Sequence, residues 1–210
     1  MCSSDLSVSE HFAQIDREKV AEADRQLHPG MDRRTQRTRQ ALHHALIELT
    51  LTKNYDEISV AEITDAANVG RSTFYAHFTD KDDLLRSGIG YLRGMLIHGA
   101  DGSKSDDPFA FSSFLTLHLG QQKSLYRAMM RSSAGTIVLD TIRETLCDIL
   151  RRQLRRTEPS DETTVQFMVG AYLAVVTWWL NRGAKEPAHE IDNAFRSLAG
   201  GAIGSRHPVA

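Results

Sequence analysis

Two cysteines in 210 residues, Cys2 and Cys147, are too few and too far apart for a disulfide framework or a thiolate metal site. They read as reduced thiols of a cytosolic protein. Nine histidines are present, yet they form no HExxH or other local metal pattern, and neither cysteine has a histidine close by in sequence. No glycine-rich phosphate loop occurs either, so an enzyme, a metal and a cofactor are all unexpected. Period-two apolar runs are missing, which excludes sheet and leaves an all-α chain. Long hydrophobic runs are missing too: residues 167–180 carry no charge, but these 14 residues fall short of the roughly 20 that a bilayer span needs. That segment reads as a buried helix, and the polar, acidic N-terminus does not resemble a secretory signal. No membrane association is expected, and the expected location is the cytoplasm. Finally, an excess of positive charge is lacking, since the formal net charge is −2.

Residues 59–85, SVAEITDAANVGRSTFYAHFTDKDDLL, carry the most information. Ser59 and Glu62 form a capping box that starts a helix with Val60, Ile63, Ala66 and Ala67 at helical spacing. Asn68-Val69-Gly70 stops it, because Asn and Gly tolerate left-handed backbone. The three-residue turn lets a second helix, beginning near Arg71 or Ser72, protrude where the first is buried. Residues 79–82 then supply hydroxyl and carboxylate caps for a further helix through Leu84, Leu85, Ile89, Leu92 and Leu96. This is the grammar of a helix-turn-helix reader of DNA. Residues 31–85 hold seven basic and nine acidic side chains, so the charges serve by placement: Arg33, Arg34, Arg37 and Arg39 cluster, and Arg71 and Lys81 bracket the second helix. The four arginines sit where the helix dipole disfavours cations, and contact with phosphates explains them.

Around this motif the chain divides into a mobile extension over 1–30, a three-helix domain over 31–98 with the helix-turn-helix at about 59–78, and a loop over 99–107. A helical domain over 108–202 and a tail over 203–210 follow. The first helix spans about 35–53 with Leu42, Leu46 and Leu49 aligned. Asp107-Pro108 reads as an N-cap and first-turn proline, and residues 157–161, with Pro159, as a break. In the helix over about 161–181, Val165, Met168, Tyr172, Val175 and Trp179 step by three and four like a packing seam, and the remaining sides are apolar as well. A partner subunit is expected to cover one of them.

The motif order resembles the tetracycline-repressor (TetR) family of bacterial transcription regulators. Tyr55, Ser59-Val60, Ile63, Ala66-Ala67, Thr73-Phe74-Tyr75, His77-Phe78, Lys81 and Leu84-Leu85 agree with its pattern over about 35–96. Beyond residue 100 the resemblance is architectural, though Gly170, Trp178-Trp179-Leu180 and Gly183 look similar to one subgroup. Family members usually carry Gly at position 68 and Ser at 70; here Asn68 keeps the left-handed turn and Gly70 loosens the cap. The resemblance implies a homodimer on double-stranded DNA, with two reading helices on a palindromic operator, and a C-terminal domain that binds a small-molecule effector. Arg71, Ser72 and Thr73 are then placed to reach base edges. Tyr75 and His77 match phosphate-contacting positions, Lys81 adds charge at a helix start, and Thr64 and Arg37 are further phosphate candidates. His118, Tyr126, Met129, Met130, Cys147 and Trp178 are candidates for the effector cavity, and Val165, Met168, Tyr172, Val175 and Trp179 for the dimer seam. The competing reading is a protein of this fold that docks onto another protein as a coactivator and reads no DNA; Arg71, Tyr75, His77 and Lys81 argue against it.

Overall fold

The computed structural model describes residues 32–102, 107, 109–154 and 162–204. The expected extension over 1–30, the role of Pro108, the break over 157–161 and most of the expected tail lie outside them. Among the described residues there are nine α-helices and no strand. They are α1 (Arg33–Thr52), α2 (Val60–Ala66), α3 (Arg71–Tyr75), α4 (Lys81–Gly102), α5 (Ala110–Gln121), α6 (Lys123–Met129), α7 (Ala134–Leu154), α8 (Glu162–Asn181) and α9 (Ala188–Gly204), with a 3-10 turn at Tyr55–Glu57.

The chain falls into two compact units, residues 32–49 with 58–95, and residues 50–57 with those described from 96 onward. Two features depart from the sequence reading. Residues 99–102, expected in a loop, continue α4, and the segment 50–57 joins the second unit although it precedes α2 in the chain.

The first unit is built on Leu42, Leu46, Ile63, Phe74, Phe78, Leu84, Leu85 and Leu92, all buried. His43 lies half-buried beside them, its ring packed inward. Its ring meets Phe78 edge-on at 5.7 Å, and a Cβ at Gly88 would lie 3.1 Å from its Nδ1, so a larger residue at position 88 would press on the ring. Loss of solvation, with Arg39 and His44 adding repulsion, lowers its pKa to about 3. The imidazole is therefore neutral at pH 7.

In the second unit an aromatic chain runs from Phe111 to Tyr172 to Phe195, with ring centroids 5.4 and 5.0 Å apart. A buried polar network accompanies it. The Thr116 and Tyr172 hydroxyls are hydrogen-bonded at 2.9 Å, and the Ser112 hydroxyl donates to Asp192 at 2.5 Å. Arg196 then donates to Asp192, to Asp107 and to the Phe109 carbonyl. Buried polar groups are tolerable only when paired in this way. Desolvation raises the Tyr172 pKa, so its hydroxyl stays protonated.

Helix α8 has the length and apolarity of a membrane span, with a mean hydropathy of 1.3. Its Val165, Val169, Tyr172, Val176 and Leu180 are buried in the protein, which accounts for that hydropathy as a core helix.

Candidate nucleic-acid interface

The α2–turn–α3 segment is shaped by hydrogen bonds that span only a few residues. Ser59 Oγ accepts the Glu62 N–H at 3.2 Å, and Glu62 Oε2 accepts the Ser59 N–H at 2.9 Å, completing the expected capping box. At the other end Asn68 adopts φ +51°, the Asn68 N–H reaches Asp65 O at 3.1 Å, and the Val69 N–H reaches Thr64 O at 2.9 Å. That is a Schellman closure with Asn68 in the left-handed position. Gly70 then caps α3 with extended backbone (φ −68°, ψ 146°) and no side-chain bond. The looser start follows from its missing hydroxyl.

Helix α3 has only five residues. Phe74 and, just beyond it, Phe78 are buried as expected, and they orient the rest outward. Arg71 and Ser72 are exposed, Thr73 and His77 half-buried. Tyr75 is 59% exposed and leans edge-on against Phe74 at 5.3 Å. Arg37 is exposed on the first half of α1, as are Arg33 and Arg34.

Three cations and hydroxyls assigned from the sequence are engaged elsewhere. Thr64 is 1% exposed and its hydroxyl donates to the Ala61 carbonyl at 2.8 Å, so it is buried away from any phosphate. Its position on the inner side of α2 decides this. Lys81 Nζ donates to the Ile58 carbonyl at 3.0 Å; its charge lies among Asp80, Asp82 and Asp83, and Asp80 accepts the Asp83 N–H as the cap of α4. Arg39 turns inward, 4.6 Å over the Phe78 ring and bonded to Ser87 Oγ, which leaves three of the four clustered arginines outward.

The effector candidates separate into three places. His118 stacks on Phe114 at 6.2 Å and meets Tyr126 edge-on at 6.0 Å, while Tyr126 and Met129 are buried on α6 and Met130 is half-buried. Cys147 instead floors a cleft of about 360 Å³ lined by Arg143, Glu144, Asp148, Arg151 and Gln166. Burial raises the Cys147 thiol pKa, so the thiol form dominates at pH 7. Beside it Arg151 grips Glu162 through two bonds of 3.0 and 2.7 Å, and this pairing, aided by Gln166, lowers the Glu162 pKa to about 2. Trp178 is 49% exposed with the Arg182 guanidinium 5.3 Å over its ring, so it lines no interior space.

The seam on α8 is real but inward. Val165, Met168, Tyr172 and Trp179 are buried in their own unit, and Val175 is half-buried. The four buried ones are spent on the core. The outward side of the same helix carries Phe167, Ala174 and Trp178, with Gly170 half-buried among them. This row has the same three-and-four spacing, but in a helix apolar all round nothing local marks which row faces out. Among the described residues no group of three or more His, Cys, Asp or Glu side chains is placed to hold a metal ion.

Residues 42–87 match the family model described as bacterial regulatory proteins, tetR family, and residues 106–201 match one described as a transcriptional regulator C-terminal region. The uncharacterized HTH-type transcriptional regulator YxbF of Bacillus subtilis (strain 168) is 36% identical over 72 residues, 34% of this chain and 19% of that protein. The alignment thus spans about a fifth of that relative. Solved structures share the fold, two of them as follows. A TetR transcriptional regulator from Streptococcus agalactiae 2603V superposes with a TM-score of 0.59 at 24% identity, covering 80% of this chain and 96% of its own. A TetR-family regulator from Syntrophomonas wolfei str. Goettingen gives 0.66 at 16% identity, covering 82% and 98%.

Proposed function

The chain belongs to the tetR family of bacterial regulatory proteins, and from that membership we propose that it is a ligand-responsive repressor that binds a palindromic operator as a homodimer in the cytoplasm. The observation that carries this reading is the outward set Arg71, Ser72 and Tyr75 on a short helix fixed by a capping box and a left-handed Asn68. In a major groove the first residues of α3, Arg71 to Thr73, face base edges, while Tyr75, His77 and Arg37 hold phosphates. Lys81 secures the segment before α2 and Thr64 its interior, so neither is assigned to DNA.

One five-residue helix in acid-rich surroundings offers few contacts. Two heads on one operator supply the rest, and the exposed Phe167, Ala174 and Trp178 on α8 around the half-buried Gly170, with Ala194 and Leu198 exposed on α9, suit a second copy. Large apolar groups there flank small ones that let helices approach. The reading domain is drawn from 31–98, and the effector and dimer functions from 108–202. His118, Tyr126 and Met129 form the favoured effector contacts, a mostly apolar lining with one imidazole. A dimer bound over a promoter excludes other proteins by occupancy, so repression requires no additional partner.

In-vitro selection with the purified chain tests the reading. The expected product is a palindrome with half-sites about one helical turn apart, bound by a species that sediments as a dimer. Enrichment of asymmetric single sites by a monomer overturns the dimeric reading, and failure to enrich any DNA favours the protein-docking alternative.

A further inference from the structure

Within three residues the turn between α1 and α2 is tied to two bodies. Asp56, in the turn at Tyr55–Glu57, belongs to the compact unit of the C-terminal helices. Its carboxylate accepts the Ser133 N–H at 3.2 and 3.3 Å and also the Ser133 hydroxyl. Ser133 directly precedes α7, where the helix dipole favours negative charge, and a carboxylate acceptor makes the bond charge-assisted. The α6–α7 turn that holds Ser133 is itself anchored to α6: the Ser132 N–H and hydroxyl both donate to the Met129 carbonyl, at 3.1 and 2.9 Å. Met129 is one of the residues favoured for the effector.

On the other side of Asp56 the chain passes at once into the reading head. The Ile58 carbonyl, two residues on, accepts Lys81 Nζ, and Ser59 is the cap of α2. The connecting turn is stiff, because the Asp56 N–H donates to Asn54 Oδ1 at 2.9 Å and the Glu57 N–H donates to Asn54 O at 3.0 Å. A stiff turn moves as a block. With about 3.5 Å of chain per residue at most, only three residues of chain separate Asp56 from the α2 cap, so a shift of Ser133 that keeps the Asp56 bond pulls on the chain leading to Ser59.

We propose that Asp56 is a positioning residue for DNA reading, carrying the state of the α6–α7 turn to the cap of α2. The inference rests on the reading of α2–α3 as the DNA-binding element and of α6 as an effector contact. Exchange of an effector-driven shift at Met129 for a shift at Ser59 is then a choice between two discrete arrangements, Asp56 bonded or released.

The test uses the full chain, without effector. Amide hydrogen exchange by mass spectrometry is measured for wild type, Asp56→Ala, Asp56→Asn and Ser133→Ala, together with affinity for DNA selected by the wild type. The expected result is exchange about fivefold or more faster over 59–70 and DNA affinity about fivefold or more weaker in Asp56→Ala, of the order of ordinary coupling between sites. Asp56→Asn and Ser133→Ala fall between it and the wild type. A purely structural cap speeds exchange only at 54–57 and 133–138, leaving 59–70 and DNA affinity within about twofold; that result overturns the proposal. Should Asp56→Ala unfold, the two milder variants decide. A wild type that selects no DNA defeats the functional reading, while the exchange measurement still settles the coupling.

Discussion

Helices α3 and α8 are fixed by opposite means. α3 is five residues long, buries Phe74 alone, and owes its position to the Ser59–Glu62 box, the left-handed Asn68 and the Gly70 cap that precede it. α8 is 20 residues long, buries nine side chains and takes its orientation from what packs against it. An isolated helix as short as α3 is unstable in water, so its existence depends on flanking turns and one aromatic anchor. A helix apolar on every side forms readily but is ambiguous about which row faces out. The proposed function draws on the exposed residues of both, and only in the first do neighbouring residues decide what is exposed.

The strongest way to break this contrast is at the adjacent tryptophans. Trp179→Ala should cost about 3–5 kcal/mol in denaturant unfolding of the second unit, whereas Trp178→Ala should cost less than about 0.5 kcal/mol and instead shift sedimentation toward monomer. Equal costs for the two would mean that the inward and outward rows are misassigned. Next comes acid. The folded-state pKa of His43 is lowered to about 3 from 6.5, so the unfolded chain binds the proton first. Stability from this group is complete above about pH 6.5 and declines as pH falls toward 3, by at most about 1.4 kcal/mol per pH unit for one proton. Fluorescence-monitored unfolding from pH 7 to 5 should show this decline in the wild type and a shallower one in His43→Gln. Parallel profiles would assign the acid sensitivity to other groups.

Smaller effects sharpen the account of α3. Tyr75→Ala should weaken operator binding about tenfold, near 1.4 kcal/mol, with helical content by circular dichroism unchanged; undiminished binding removes Tyr75 from the interface. Gly70→Ser should be the mildest change. The backbone there is already that of an N-cap, and a Cβ meets nothing closer than 3.8 Å, so a gain of a few tenths of a kcal/mol is expected in thermal unfolding. A loss would show that glycine is needed at this position for another reason.

The same contrast explains what the sequence disclosed. The capping box, the stop at Asn68 and the burial of Phe74 and Phe78 depend on residues within about four positions of one another, and all were legible. The burial of Thr64 depends on which side of α2 meets the core, and the inward turn of Arg39 on Phe78 and Ser87, distant in sequence. Lys81 shows a related dependence: its partner carbonyl at Ile58 lies 23 residues earlier. On α8 the spacing of the buried row was visible and its inward direction was not. His118 and Tyr126 do meet, but nothing in their spacing separates them from Cys147, which belongs to another cleft.

Arg196 joins residues that the ribosome makes far apart in time. Its bonds to Asp107 and to the Phe109 carbonyl cross 89 and 87 positions of chain. Helix α5 is therefore born long before the helix that ties down its start, and Ser112 and Tyr172 wait with it for α9 to complete their network. During synthesis the aromatic chain of the second unit has no lasting cover until α9 has emerged. A nonsense mutation ahead of α9 should thus yield a product with its polar network open and Phe109 and Tyr172 stripped of Phe195, a natural target for proteases, while the reading head, complete by residue 95, has no such wait.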